Sequence, residues 1–267
     1  MKVGIICNEK VTDQSRELLL LALREKNFEV ETLPLVPEQE RLQGLDALLV
    51  LGGDGVILHT AIKAAQAGAY MLGINYGTLG FLTEFEKKDV AKAVALLDDL
   101  QRGDCRVLQR TVLEITVKNR VYYALNEVAF QRDCSETENV RQIISVNVKV
   151  AKESTTFTGD GLILCTPTGS TAYSLSAGGA ILSPQVPAFM ITPICTFSFN
   201  SRPIVFPDTE TFTAKVEMGK ALLLADGKVL ETVGKEDEII IKKAPFTANF
   251  LAEHDSCLLT KIKNKLN

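Results

Sequence analysis

The sequence predicts two fold classes in one chain, α/β plus all-β: a parallel α/β domain followed by a mostly antiparallel β domain. Three observations lead there. At 267 residues the chain holds about two domains at roughly 150 residues each. Its first hundred residues alternate short apolar runs with stretches of helical spacing, the pattern of a parallel sheet covered by helices. Beyond residue 105 the texture changes to apolar–polar alternation broken by turn signals.

Each element has its own warrant. Residues 3–7 open as a strand. Residues 13–26 place Leu18, Leu19, Leu21 and Ala22 at helical spacing, with Thr12 or Asp13 as N-cap. Residues 28–33 form a second strand that Pro34 and Pro37 end. The continuous apolar run 47–51 fits a strand buried on both faces, and a helix follows over 56–67. Residues 70–74 give the next strand, and 88–100 a helix opened by Asp89 and closed before Gly103. The second half offers β runs at 111–118, 121–125, 127–131, 143–149, 197–199, 211–216, 221–225 and 238–241, with Ile144, Val146 and Val148 on one face and a turn at Asp226-Gly227. The domains are therefore expected at 1–104, Rossmann-like, and 105–267, β-rich. The basic tail (Lys261, Lys263, Lys265) reads as a solvated end.

Composition excludes several functions. The longest apolar run, residues 18–23, is far short of the roughly 18 to 20 residues a membrane span needs. The N-terminus turns polar too soon for a signal peptide. A net charge of −4 argues against general nucleic-acid or anionic-membrane binding. Six cysteines stand at 7, 105, 134, 165, 195 and 257 with no CxxC pair, and those at 7, 165, 195 and 257 have mainly apolar or small neighbours. They read as buried free thiols of a cytoplasmic protein. Two histidines, far apart, cannot build a His-rich zinc site.

Chemistry concentrates in a few segments. Gly52-Gly53-Asp54-Gly55 sits between a buried strand and a helix, where open α/β sheets bind ligands and helix N-termini attract anions. Asp54 has two readings. It caps the helix, or it addresses a phosphate through a metal or a hydroxyl about to attack phosphorus. His59, one turn on, either reaches a phosphate or is a partly buried helix residue. The loop 73–82, containing Asn75, carries Gly73, Gly77 and Gly80, which suggests tight turning or close approach. Asn126-Glu127 interrupts an apolar β stretch and needs partners, either a cross-strand cation or the hydroxyls of a ribose. The densest signal is 159–179: Asp160, a strand, then a run of small and hydroxyl residues with the single Tyr173, suited to a flat aromatic ligand.

Together these motifs resemble the bacterial NAD kinase family, over residues 47–226. The resemblance rests on Gly52-Gly53-Asp54-Gly55, the loop from Gly73-Ile74-Asn75 to Leu82, Asn126-Glu127, Asp160-Gly161 with Thr166 through Gly179, and Thr192-Pro193-Ile194-Cys195 with Ser201-Arg202-Pro203. It implies transfer of the γ-phosphoryl group of ATP to the 2′-hydroxyl of the adenosine ribose of NAD, with Asp54 as catalytic base. It further implies NAD or ATP contacts at Gly55, His59, Asn75, Asn126, Glu127, Thr158, Asp160, Thr171, Ala172, Tyr173, Ser174, Leu175, Ser176 and Cys195. Mg²⁺ would enter with ATP and no side chain is assigned as its ligand; polyphosphate stays open as an alternative donor. The resemblance implies a homodimer or homotetramer, and a C-terminal segment that returns to the first domain. Val56 stands where the family usually has Thr, Thr158 where a basic residue is common, and Thr196 and Phe197 at positions usually Pro and His. Two other readings compete: a lipid or sugar kinase sharing the Gly-Gly-Asp-Gly turn, and a non-catalytic NAD(P)-binding sensor.

Overall fold

A computed structural model describes residues 1–77, 80–133, 143–197 and 201–265. The first elements are β1 (Lys2–Cys7), α1 (Asp13–Glu25), β2 (Glu29–Leu33), β3 (Ala47–Gly52), α2 (Asp54–Gln66), β4 (Tyr70–Asn75), β5 (Phe85–Glu86) and α3 (Val90–Arg102). Then come β6 (Arg106–Val117), β7 (Arg120–Ala124), β8 (Glu127–Arg132), β9 (Ile144–Val150), β10 (Glu153–Gly159), β11 (Gly161–Cys165) and the short α4 (Tyr173–Ser176). The chain ends with β12 (Ala188–Ile194), β13 (Ile204–Pro207), β14 (Phe212–Met218), β15 (Ala221–Ala225), β16 (Lys228–Val233), β17 (Glu238–Ala252) and α5 (Leu258–Lys265).

Two compact units emerge, Met1–Arg110 with Phe246–Asn267, and Thr111–Pro245. This differs from a division at 104/105. The chain passes between units inside two long strands, β6 and β17, so no loop or linker marks the crossing.

In the first unit β2, β1, β3 and β4 pair in that order and all in parallel. β4 also pairs in parallel with β5 and, at Phe250↔Met71, with the end of β17. Every residue of β3 is buried, as its unbroken apolar sequence requires of a central strand covered on both faces. α1 buries Leu19 and Leu23, and α3 buries Ala93, Val94, Leu96 and Leu97. Thr12 caps α1 through a hydrogen bond from the Ser15 N–H, and Gly103 closes α3 at φ 76°, a left-handed conformation that favours glycine. α2 begins at Asp54 rather than at residue 56, with Gly53 as its N-cap.

The second unit pairs its strands antiparallel. One sheet carries β10, β9, β14 and the start of β17, and the other runs β13-β12-β11-β8-β15-β16. Strand alternation gives each sheet two faces. Ile144, Val146 and Val148 of one sheet share a core with Phe130, Leu162, Leu164, Phe189 and Ile191 of the other. The opposite face of the second sheet, with Ala129, Ile163, Cys165 and Met190, packs beneath Tyr173, Ala177 and Leu182. So one strand, β11, faces the sandwich core with Leu162 and Leu164 and the small-residue segment with Ile163 and Cys165.

β10, β12, β13 and β16 were not singled out by the sequence pattern. β10 is hydroxyl-rich and largely exposed, and β12 contains Pro193, which argues against an interior strand. Of the expected run 197–199, Phe197 lies outside any strand and 68% exposed, and 198–199 fall outside the described residues. The thiol expectation needs correction too. Cys165 is buried, but Cys195 and Cys257 are exposed, one in a bend at φ 46°, the other at the start of the final segment. Cys134 lies outside the described residues. Nor is Lys261 a solvated tail residue: its side chain is only 18% exposed and bonded to Glu84. None of the described helices is long and apolar enough to cross a membrane.

Close strand pairing leaves no room at Gly161, where a Cβ would lie 2.2 Å from the Phe130 carbonyl oxygen of β8. We expect Gly161→Ala to lower stability by about 2 kcal/mol or more, measured by urea denaturation; an unchanged midpoint would contradict this packing.

Candidate active site

The first unit carries the glycine turn at the C-terminal edge of its parallel sheet. The register pairs Gly52 of β3 with Asn75 of β4, so the glycine turn and the loop after β4 lie side by side. Asp54 occupies the first turn of α2, but its carboxylate does not cap that helix. Oδ2 accepts the Phe81 N–H at 2.7 Å and Oδ1 the Leu82 N–H at 3.0 Å. A carboxylate held by two backbone donors has a fixed direction. Asn75 is 5% exposed, and its amide is engaged within the loop: Nδ2 donates to the Glu86 carboxylate and Oδ1 accepts the Gly77 N–H. Asn75 thus shapes the turn. Gly55 and His59, four residues apart on α2, share an exposed face, so His59 is not the partly buried residue its helix suggested.

Behind Asp54 stands a cation that sequence reading missed. Arg110, 4% exposed, stacks over the Phe250 ring at 4.8 Å. Burial lowers its pKa to about 10, against the pull of the Asp54 and Glu84 carboxylates, so it stays charged at neutral pH. Glu84 accepts the Lys261 ammonium at 2.7 Å and the Glu253 N–H at 3.0 Å. These acids and bases are separated too widely in the chain for a spacing signal.

The second unit gathers Glu127, Asp160, Tyr173 and Cys195. Glu127 shares the β8 face of Ala129, above Cys165 of β11, which is its register partner. The charges of Cys195, Glu127 and Asp160, after burial itself, raise the Tyr173 hydroxyl pKa. Asp160 ends the β10–β11 connection, with its side chain 3.4 Å from Arg132. Thr158 is turned elsewhere: its hydroxyl bonds Ser145 across the neighbouring strand at 2.8 Å.

Glu127 is the most unusual group in this unit. It is 6% exposed, and its Oε2 has no hydrogen-bond partner among the described residues. Burial first, then the nearby Asp226 carboxylate, push its pKa up to about 8, while a hydrogen bond from the Tyr173 backbone pulls the other way. Asp226 is itself shifted upward by burial, and its carboxylate accepts the N–H groups of Leu125, Asn126 and Glu127. The cation expected as one partner for Glu127 is therefore replaced by a second acid that pins its backbone.

Much of the hydroxyl-rich run serves the fold. Thr166 donates to the Leu125 carbonyl at 2.6 Å, Ser170 to the Pro167 carbonyl at 2.6 Å, and Ser174 shares a 2.7 Å hydrogen bond with Thr192. All three are fully buried. Gly169 lets this segment press on Asn126, whose carbonyl oxygen would be 2.1 Å from a Cβ. Thr171, Ala172, Tyr173 and Leu175 are partly exposed, and Ser176 is exposed, so these can meet a ligand while the Ser174 side chain is turned inward. Among the described residues, no three His, Cys, Asp or Glu side chains converge as a cation site.

Comparison with known proteins decides the family. The ATP-NAD kinase N-terminal domain matches residues 5–104 and the ATP-NAD kinase C-terminal domain residues 125–252. The chain belongs to the NAD kinase family. It is 34% identical to the NAD kinase of Carboxydothermus hydrogenoformans, covering 99% of this chain and 95% of that protein. With the NAD kinase of Methanothermobacter thermautotrophicus it shares 35% identity over 94% of this chain and 91% of the relative. Among solved structures it resembles yeast NADH kinase complexed with NADH, at a TM-score of 0.84 and 28% identity, covering 100% of this chain and 87% of that one. An Archaeoglobus fulgidus NAD kinase in complex with ATP gives a TM-score of 0.80 and 26% identity, covering 98% and 99%.

Glu127 makes the NAD kinase fold pH-sensitive. Its pKa of about 8 in the folded chain stands above the ordinary 4.5, so folding retains a proton that the unfolded chain releases. That stability is complete below pH 4.5, is lost as pH rises towards about 8, and is level beyond. Relative to Glu127→Gln, the wild-type melting temperature should fall across this window; a constant difference would contradict a carboxyl that burial keeps protonated.

Proposed function

We propose that this chain transfers the γ-phosphoryl group of ATP to the 2′-hydroxyl of the adenosine ribose of NAD, with Asp54 as the base. The bond from the 2′-oxygen to phosphorus forms, the bond from phosphorus to the bridging oxygen breaks, and ADP leaves. The hydroxyl proton passes to Asp54. One observation carries the assignment: the Asp54 carboxylate, at the end of a central strand and the start of a helix, is aimed by the Phe81 and Leu82 N–H groups. Positioning of this kind supplies most of the acceleration in phosphoryl transfer, because the reaction asks little covalent chemistry of the protein. α2 begins at this turn, so its unpaired N–H groups and dipole favour an anion beside Asp54.

For the dinucleotide we assign Glu127 to a pair of ribose hydroxyls. These would give Oε2 the donors it lacks and release the proton that burial holds there. Asn126 and Asp160 supply further polar contacts, and Thr171 through Ser176 line the base, with Tyr173 packing. Mg²⁺ is the divalent ion we assign, carried by ATP. It takes one or two carboxylates beside phosphate and water oxygens, a demand compatible with the sparse acids at the glycine turn. When bound, it spreads the charge that develops on the transferred group. We place the protein in the cytoplasm on the strength of its free thiols. Assembly into a homodimer or homotetramer is supported by the exposed apolar Ile204 and Val205 on the edge strand β13.

The test is NADP formation from NAD, ATP and Mg²⁺, read with an NADP-specific dehydrogenase. Asp54→Asn should keep the fold and lose about 10²- to 10⁴-fold in kcat, the usual contribution of a general base. A rate within a few-fold of wild type would remove Asp54 from that role.

A further inference from the structure

The C-terminal helix reaches the segment that holds Asp54. Phe81 and Leu82, whose N–H groups hold the Asp54 carboxylate, are followed at once by Thr83 and Glu84. Thr83 is 2% exposed, and the Glu84 N–H donates to the Gly73 carbonyl of β4 at 2.9 Å. Lys261 of α5 then closes the segment from outside. Its ammonium donates to the Thr83 carbonyl at 3.1 Å and to the Glu84 carboxylate at 2.7 Å. The pair is sheltered, Lys261 being 18% and Glu84 6% exposed. It is therefore far less screened than a surface ion pair. The other Glu84 oxygen holds the Glu253 N–H at the end of β17, so the approach of α5 is fixed from two points.

We propose that Lys261 is a positioning residue for Asp54: by fixing Thr83 and Glu84 it fixes the two N–H donors that aim the carboxylate. The inference rests on Asp54 being the base. No substrate contact is needed for Lys261 to act, since its ammonium bonds the Thr83 carbonyl and the Glu84 carboxylate directly. Without the ammonium, the Thr83 carbonyl and the Glu84 carboxylate lose a shared donor. Phe81 and Leu82 then gain freedom, and the Asp54 carboxylate with them. A misplacement of about 1 Å can cost up to roughly 10²-fold in rate.

The experiment compares the full chain with Lys261→Met, Lys261→Arg, Asp54→Asn and the double variant Lys261→Met with Asp54→Asn. It reads kcat, the KM values for NAD and ATP, and melting temperature. Lys261→Met should lower kcat about 10-fold with both KM values within about two-fold, because only orientation at the reacting atoms is lost. Lys261→Arg, which keeps the charge and the donors, should recover most of that loss. In the double variant the losses should not multiply, since Lys261 has nothing left to aim. A kcat for Lys261→Met within about two-fold of wild type, or multiplying losses, overturns the proposal. Failure of the underlying reading looks different: Asp54→Asn itself would then turn over near the wild-type rate, whatever Lys261 does.

Discussion

A single carboxylate held by two backbone N–H groups sets the terms for the first unit. Asp54 follows a strand buried at every residue, at the start of a helix that presents unpaired N–H groups. An acid there repels the phosphates that the helix attracts, unless its direction is fixed and its charge has a use. The Phe81 and Leu82 N–H groups provide the direction. The buried Arg110 guanidinium, stacked on Phe250, balances the negative field of Asp54 and Glu84. The parallel sheet brings Gly52 and Asn75 into register, and that register delivers the loop carrying the donors.

The second unit uses a different constraint. Strand alternation places Glu127, Ala129, Ile163 and Cys165 on one face of a sheet whose other face is committed to the sandwich core. The segment that covers this face must come close, and Gly169 and the inward-turned hydroxyls of Thr166, Ser170 and Ser174 let it do so. The result buries Glu127 with one oxygen unbonded among the described residues. A protein that leaves a buried acceptor unsatisfied gives up stability, and a ligand with hydroxyl donors can return it. Asp226 supports this arrangement from the β15–β16 turn, where it and Gly227 adopt φ 47° and 77°. Its own carboxylate is engaged with three backbone donors.

What the sequence revealed follows from the range of the interactions involved. The apolar run of β3, the cap of α1 and the one-sided Ile144, Val146 and Val148 are local patterns, and all are visible in the chain. The Gly-Gly-Asp-Gly turn announced its position between strand and helix. The partners of its acid did not, because Phe81 and Leu82 act through backbone groups that every residue possesses. Arg110, Glu84 and Lys261 were invisible for a related reason: Lys261 and Glu84 are 177 residues apart, and a lone charged residue near a chain end resembles a solvated one. The small and hydroxyl residues of 159–179 suggest a ligand site, with contacts at Thr171 through Ser176. Their composition marked the segment, but composition does not say which way a hydroxyl points, and three of them satisfy buried backbone carbonyls or each other's neighbours.

The account depends most on where the reacting oxygen of NAD lies. A crystal structure of the chain with NAD bound, in the presence of a non-hydrolysable ATP analogue and Mg²⁺, measures this directly. The adenosine 2′-oxygen should lie within hydrogen-bond reach of the Asp54 carboxylate, about 2.6 to 3.2 Å, with the Phe81 and Leu82 N–H groups still in place. Well-defined NAD whose 2′-oxygen is far from Asp54 and beside another base would contradict it.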